Sequence, residues 1–412
     1  MPQIYLDHQA ATPLLPEAFE AMRPFFAESF GSASALHQLG LRARDALARA
    51  REQVAAFINA ESPEDILFTS DGTESANLAV KGTAFANQRR GNHIVVSCTE
   101  HPAVLGSVEF LEKHGFAAAR VRVDSAGIVD PAAVRRALTD KTILVAVHLA
   151  NHDVGAIQPI REIGAIAAEH GVAFFVDAEA AAGWMPIDVQ ELHANLVAFS
   201  PHKFYGPKGV GVLYRGRRAR LSSVLHGGVQ EGGLRAGVEN VPAIVGAGVA
   251  CEIATREWPR RAAHVAGLQR RLWDGLRARV PHVKLNGPEP GLRRIGTSLN
   301  VSVEFVEGEG LMLMLDTQGI AVASGTSCVS KALKVSHVLT AMGVPHTLAQ
   351  GSILLSLGMG NTDADIETVL ETLPRIVEKL RGMSPQWDEF QRGLCDSLVA
   401  PRKTEKQVKQ AT

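Results

Sequence analysis

Short runs of consecutive apolar residues recur over the first 240 positions, separated by longer stretches with helical spacing. Leu36–Ala60 repeats alanine, leucine and arginine at helical intervals and predicts a helix. Asp65–Thr69, His93–Ser97, Ile143–Val147, Val172–Val176 and Leu196–Phe199 are apolar runs of strand length. Helical patterns fall between them at Thr73–Ala86, Pro102–His114, Pro159–Glu169 and around Val189–His193. Strands separated by helices of this length argue for crossover connections and a mostly parallel sheet covered on both faces. A long helical stretch, Pro242–Val280, follows, and Pro259 is expected to kink or split it.

Beyond His282 the pattern changes. Strands are predicted at Val283–Leu285, Thr297–Val303 and Ile320–Ala323, and helices at Gly308–Leu315, Val335–Met342 and Asp363–Arg381. These make a smaller α/β unit. The expected division is a large domain over 15–255, a small domain from 1–14 and 256–390, and a flexible polar tail over 391–412.

Composition narrows the class. Apolar residues make up 46% and charged residues 21% of the 412 positions, as in ordinary globular enzymes. The formal charge of −1 offers no attraction to nucleic acid or an anionic membrane. No run reaches the length of a spanning helix, and the amino-terminal residues do not read as a signal peptide. The four cysteines, Cys98, Cys251, Cys328 and Cys395, are far apart and lack zinc or disulfide spacing. Reduced thiols and a cytoplasmic location are expected. Cys98 and Cys251 sit in apolar surroundings and read as core residues.

Candidate chemistry centres on Ser200-Pro-His-Lys-Phe-Tyr-Gly206. Lys203 follows a buried strand, a costly place for a lysine without a task. An amine kept from water there is the nucleophile that Schiff-base chemistry uses. A solvated loop lysine is the alternative. Asp177 ends another buried strand and needs a cationic partner or a helix to cap. Phe68-Thr-Ser-Asp-Gly-Thr-Glu-Ser75 joins strand to helix and suits either a phosphate or a plain capping box. His101 stands at a third strand end, where it can stack on an aromatic cofactor, move a proton or be structural. Cys328 lies in Ala323-Ser-Gly-Thr-Ser-Cys-Val-Ser330, a loop composition that gives a thiol exposure; a surface cysteine without function is the alternative. His148 and His152 are four apart on a strand and loop, which does not align them for zinc, and no metal is expected.

Taken in order, these motifs resemble the NifS/IscS-type cysteine desulfurases of the class V, fold-type I pyridoxal 5'-phosphate (PLP) enzymes. The resemblance runs from Tyr5-Leu-Asp-His-Gln-Ala-Ala-Thr-Pro13 to about Phe390 and includes Gly155-Ala-Ile-Gln-Pro159 and Gly227–Gly237. It implies a large domain with a mostly parallel central sheet plus a smaller C-terminal α/β domain. It further implies that Lys203 bonds the cofactor's aldehyde and Asp177 pairs with the pyridine nitrogen. His101 stacks over the ring and is placed to transfer protons. Gly72, Thr73, Ser200 and His202 hold the phosphate. Cys328 takes sulfur from cofactor-bound L-cysteine as a persulfide and leaves alanine. A homodimer, with the Gly227–Gly237 loop completing the partner's site, and a sulfur acceptor such as an iron–sulfur scaffold are implied partners.

The chain departs from that family inside the site. His152 and Ala180 replace an asparagine and a glutamine that contact the cofactor's phenolic oxygen, and His152 can restore one of those bonds. Val238 replaces a threonine that reaches the partner's phosphate, and Asp71 stands where glycine is common. Leu354, in Ile353-Leu-Leu-Ser-Leu-Gly358, replaces the arginine that grips the substrate carboxylate. Three readings follow: a desulfurase of L-cysteine or a related sulfur amino acid, a PLP enzyme with a changed amine or carrier-bound substrate, or a sulfur-relay scaffold with little catalysis.

Overall fold

The computed structural model describes residues 3–324, 326–327 and 334–399. Its strands, in chain order, are β1 (Ile4–Leu6), β2 (Ile66–Thr69), β3 (His93–Ser97), β4 (Ala117–Val121), β5 (Thr142–Ala146), β6 (Ala173–Asp177), β7 (Leu196–Phe199) and β8 (Gly211–Arg215). They continue as β9 (Val283–Leu285), β10 (Ser298–Val303), β11 (Ile320–Ser324), β12 (Thr326–Ser327), β13 (Lys334–Val335) and β14 (Ser352–Ser356).

Seven strands form one sheet in the order β2-β8-β7-β6-β5-β3-β4. Every pairing in it is parallel except the two made by β8. The middle strands β5 and β7 are buried at every position, and β6 at all but its first. Helices cover both faces, so these strands are continuous apolar runs rather than alternating ones. A second sheet, β1-β11-β14-β10-β9, joins the two ends of the chain, with β1 parallel to β11 and the other pairs antiparallel. The α/β class and mostly parallel main sheet agree with the pattern in the sequence.

Between the sheets runs a single helix, Val241–Arg279, 39 residues long. It is not split at Pro259, which is exposed, so water can replace the lost backbone bond. The expected domain boundary at 255/256 falls inside this helix. It packs on the helix Gln38–Phe57, and Gly248 permits the approach: a Cβ there would overlap Gln53 and lie 2.8 Å from Ala50 Cα.

Two expected helices change. Val189–His193 is a turn rather than a helix, ended by His193 in the left-handed region at φ 51°. The helix expected over Val335–Met342 begins at His337, because Val335 belongs to β13 and Ser336 caps the first turn. The helix expected over Thr73–Ala86 runs from Gly72 to Asn87 with a π-helical turn at Leu78–Gly82.

Candidate active site

The chain leaves β3 toward β4 on one side and β5 toward β6 and β7 on the other. The gap between β3 and β5 is therefore a topological switch point, where open α/β sheets bind ligands beyond the carboxyl ends of their strands. His101 follows β3, His152 follows β5, Asp177 ends β6, and Ser200, His202 and Lys203 follow β7. Gly72 and Thr73 open the helix after β2. All of them line one cavity of about 410 Å³. A larger hollow of about 760 Å³ lies at the starts of β5 and β6 and brings together no comparable set.

Lys203 closes the single 3-10 turn Pro201–Lys203. The next residues fix it: Trp184 Nε1 donates to its carbonyl at 3.2 Å, and Tyr205 sits at φ 75°. A tyrosine in the left-handed region is strained. The amino-terminal segment holds it there, Thr12 Oγ1 accepting from Tyr205 N at 2.6 Å. The same segment meets the amine, with Lys203 Nζ donating to the carbonyls of Gln9 at 2.6 Å and Ala10 at 3.3 Å. The sequence marks Tyr5–Pro13 as a motif but not as a strap on Lys203, because the strap's residues lie more than 190 positions from the lysine.

Asp177 is buried, and one of its oxygens accepts from Glu179 N at 2.9 Å. Burial raises its pKa, opposed by the nearby His101. Burial lowers the pKa of His101, whose Nδ1 accepts from Ala103 N at 3.2 Å, leaving the neutral ring's proton on Nε2. His152 is held well below the ordinary value by burial and by the other imidazoles. Its ring meets that of His101 edge-on at 5.2 Å and lies 6.0 Å from that of His337. His337 was not read from sequence. His202 is pushed down to about 4 by burial, then by Lys203 and Lys208. His148 turns away to Glu100, with Nδ1 2.7 Å from Oε1. Among the described residues no group of three or more metal-ligating side chains is assembled.

Leu354, on β14, is 7% exposed and lines the same cavity as Lys203. No guanidinium lines that cavity among the described residues. Ala180 is buried, and Val238 is 73% exposed on the surface. Cys328 lies outside the described residues.

The donor set fits PLP. A lysine amine held only by carbonyls, a buried carboxylate and a hydroxyl–glycine cradle stand at one cavity, and a Cβ on Gly72 would leave that cradle no space. One side chain missed in the sequence is unexpected there. Glu179 enters the cradle, accepting from Ser200 Oγ at 2.7 Å.

The architecture and the lysine–aspartate pair at the switch point define a PLP-binding transferase fold. The family model for aminotransferase class-V matches residues 4–369. The chain is 45% identical over 390 residues to cysteine desulfurase IscS of Clostridium botulinum strain Hall, covering 95% of this chain and 98% of that protein. It is 46% identical over 382 residues to cysteine desulfurase IscS of Methanosarcina thermophila, covering 93% and 94%. Among solved structures, a NifS-like protein superposes with a TM-score of 0.86 at 34% identity, covering 92% of this chain and all of the other. The chain belongs to the aminotransferase class-V family, in its NifS/IscS-type cysteine desulfurase branch.

Proposed function

We propose that the chain is a PLP-dependent cysteine desulfurase in which Lys203 holds the cofactor and Asp177 faces its ring nitrogen. The observation that supports this most is the meeting of Lys203, Asp177, His101, Ser200 and His202 at one cavity on the switch point. When bound, PLP supplies an electron sink for the substrate's α-carbon. Gly72, Thr73, Ser200 and His202 hold the phosphate. A neutral His202 can donate to it without adding charge. His101, neutral with its proton on Nε2, is available to stack and to move a proton. His152 takes the place beside the phenolic oxygen. Gln9 and Ala10 orient the Lys203 amine. Cys328 accepts the substrate sulfur: its thiolate forms the S–S bond as the C–S bond breaks, and the carbon skeleton leaves as alanine.

The test is an absorption spectrum of the purified protein before and after L-cysteine, with alanine and sulfide assayed. A visible-edge band that changes with cysteine is expected; a protein without a chromophore refutes the reading.

Leu354 favours a second reading of the same site, in which the natural substrate lacks a free α-carboxylate or has it masked in a carrier or peptide. Homodimerisation is part of the proposal. Val229 and Val238, 87% and 73% exposed in and beside the Gly227–Gly237 loop, support it, and light scattering tests it. A sulfur-acceptor protein and a cytoplasmic setting complete the proposal. No described helix is long and apolar enough to cross a membrane.

A further inference from the structure

The cradle assigned to the phosphate already contains an acid. Glu179 follows β6 by two residues, and its side chain turns back toward the loop after β2. Oε1 accepts from Ser200 Oγ at 2.7 Å. A Cβ added to Gly72 would overlap that same oxygen. Oε2 is buried and has no hydrogen-bond partner. No Glu179 ion pair is formed among the described residues, and the amine of Lys203 is directed at the carbonyls of Gln9 and Ala10. An orphaned carboxyl oxygen beside a hydroxyl and a glycine is a poor site for an anion and a good one for a neutral acid.

The charges facing Glu179 come from several elements. Asp177 approaches from the end of β6, Asp71 from the start of the helix after β2, and Lys203 and His202 from the turn after β7. Burial and Asp177 favour the acid form, and Lys203 and the Ser200 hydroxyl favour the anion. Burial dominates and raises the pKa to about 7.

We propose that Glu179 is a proton-linked part of the phosphate site, so that the phosphate of PLP enters the cradle as the Glu179 carboxylate takes up one proton. The balance is simple: carboxylate, solvent proton and phosphate dianion give a neutral acid whose O–H donates to a phosphate oxygen. No bond to carbon or phosphorus changes. This rests on the reading of Gly72 and Ser200 as phosphate ligands. It adds to that reading a site residue and a pH dependence of cofactor retention. Below about pH 7 the proton is already in place. Above it, each pH unit lowers affinity for PLP by up to about tenfold.

The experiment is equilibrium dialysis of wild type and Glu179→Gln against PLP from pH 6.5 to 9, with bound cofactor measured after alkaline release. The aldehyde–lysine linkage titrates in both proteins and cancels in the ratio of their Kd values. With Glu179 half ionised at pH 7, that ratio, wild type over variant, should rise about sixteenfold from pH 7 to 8.5. A ratio that stays constant while both proteins bind one equivalent overturns the Glu179 proposal and leaves the cofactor reading standing. Failure of both proteins to bind PLP at any pH overturns both. A second measurement needs no variant. Proton uptake at pH 8 by wild type, from calorimetry in buffers of different ionisation heat, should be close to one greater for PLP than for pyridoxal, which lacks the phosphate. Equal uptake overturns the proposal.

Discussion

Replacing Leu354 with arginine should sharpen this enzyme's grip on a free amino acid. Leu354 lies on β14 with its Cα opposite Ala323 on one side and Asn300 on the other, and it lines the cavity that holds Lys203. An arginine there can offer two parallel N–H donors to a carboxylate. Hydrogen bonds to charged groups contribute roughly 1.5–3 kcal/mol, which is about a 10- to 100-fold change in half-saturation. Asp7 and Asp153, which also line the cavity, offset part of the cost of bringing in the cation. Loss of the buried leucine costs stability of about 1–2 kcal/mol, since the arginine stem covers part of the same surface.

The assay is spectral titration of the PLP-loaded protein with L-cysteine and with cysteamine, which carries no carboxylate, alongside a Leu354→Met control. Wild type should bind the two ligands within about tenfold of each other, the arginine variant should bind only L-cysteine more tightly, and the control should change neither. The reasoning is refuted if the folded, PLP-loaded arginine variant binds L-cysteine no better than wild type. It is also refuted if wild type already prefers L-cysteine over cysteamine by more than about a hundredfold, because some other cation must then hold the carboxylate.

Three further outcomes are expected. Glu231, at φ 48°, makes a bidentate pair with Arg51 at 2.7 and 2.9 Å and accepts from Phe68 N at 2.9 Å. Its side chain is 2% exposed, so Glu231→Ala should cost about 3–5 kcal/mol in denaturant unfolding, and a loss under about 1 kcal/mol counts against the pair. Pro259→Ala should stabilise the protein, by up to about 3 kcal/mol, through a restored helix hydrogen bond; an unchanged midpoint contradicts the cost assigned to the proline. His8 is 6% exposed, its Nδ1 has no partner, and burial lowers its pKa to about 4. Its folded pKa is below the unfolded 6.5, so the unfolded chain binds more protons between those values. The stability present above pH 6.5 is lost as pH falls toward 4, by about 3 kcal/mol for this residue. His8→Phe, which keeps a ring 4.8 Å from that of Tyr5, should move acid unfolding to lower pH.

The main sheet was readable because β5, β6 and β7 are covered on both faces, which forces their sequences to be continuous apolar runs. Edge strand β4, Ala117-Ala-Ala-Arg-Val121, buries only Val121 and carries neither a run of large apolar side chains nor a clean alternation. Strand β8 begins in the glycines that end the Lys203 segment, where turn signals hide it. The site divides in the same way. Lys203, Asp177, His101 and Gly72 stand at or beside strand ends, and a chemical residue after an apolar run shows in a sequence. Gln9 and Ala10 reach the cavity through tertiary approach and His337 reaches only as far as His152, so nothing local marks them, whereas Glu179 stands just past β6 but its turn into the cradle does not show in the sequence.

Both main departures change the charge of one cavity in the same direction. Leu354 leaves it without a guanidinium among the described residues, while Asp71 and Glu179 add acids beside Asp7, Asp153 and Asp177. An anionic cofactor would be repelled by such a lining if every acid were ionised. Burial is the first cause that raises the pKa of Asp7, Asp153, Asp177 and Glu179 alike. Burial thus opposes the charge of all four, and Glu179, raised to about 7, is the one placed to titrate near neutral pH. In the proposed holoenzyme a pyridinium would favour the Asp177 carboxylate, and a protonated Glu179 would stand beside the phosphate. As pH rises through 7, the ionisation of Glu179 in the proposed phosphate cradle is the change that would most directly oppose the cofactor.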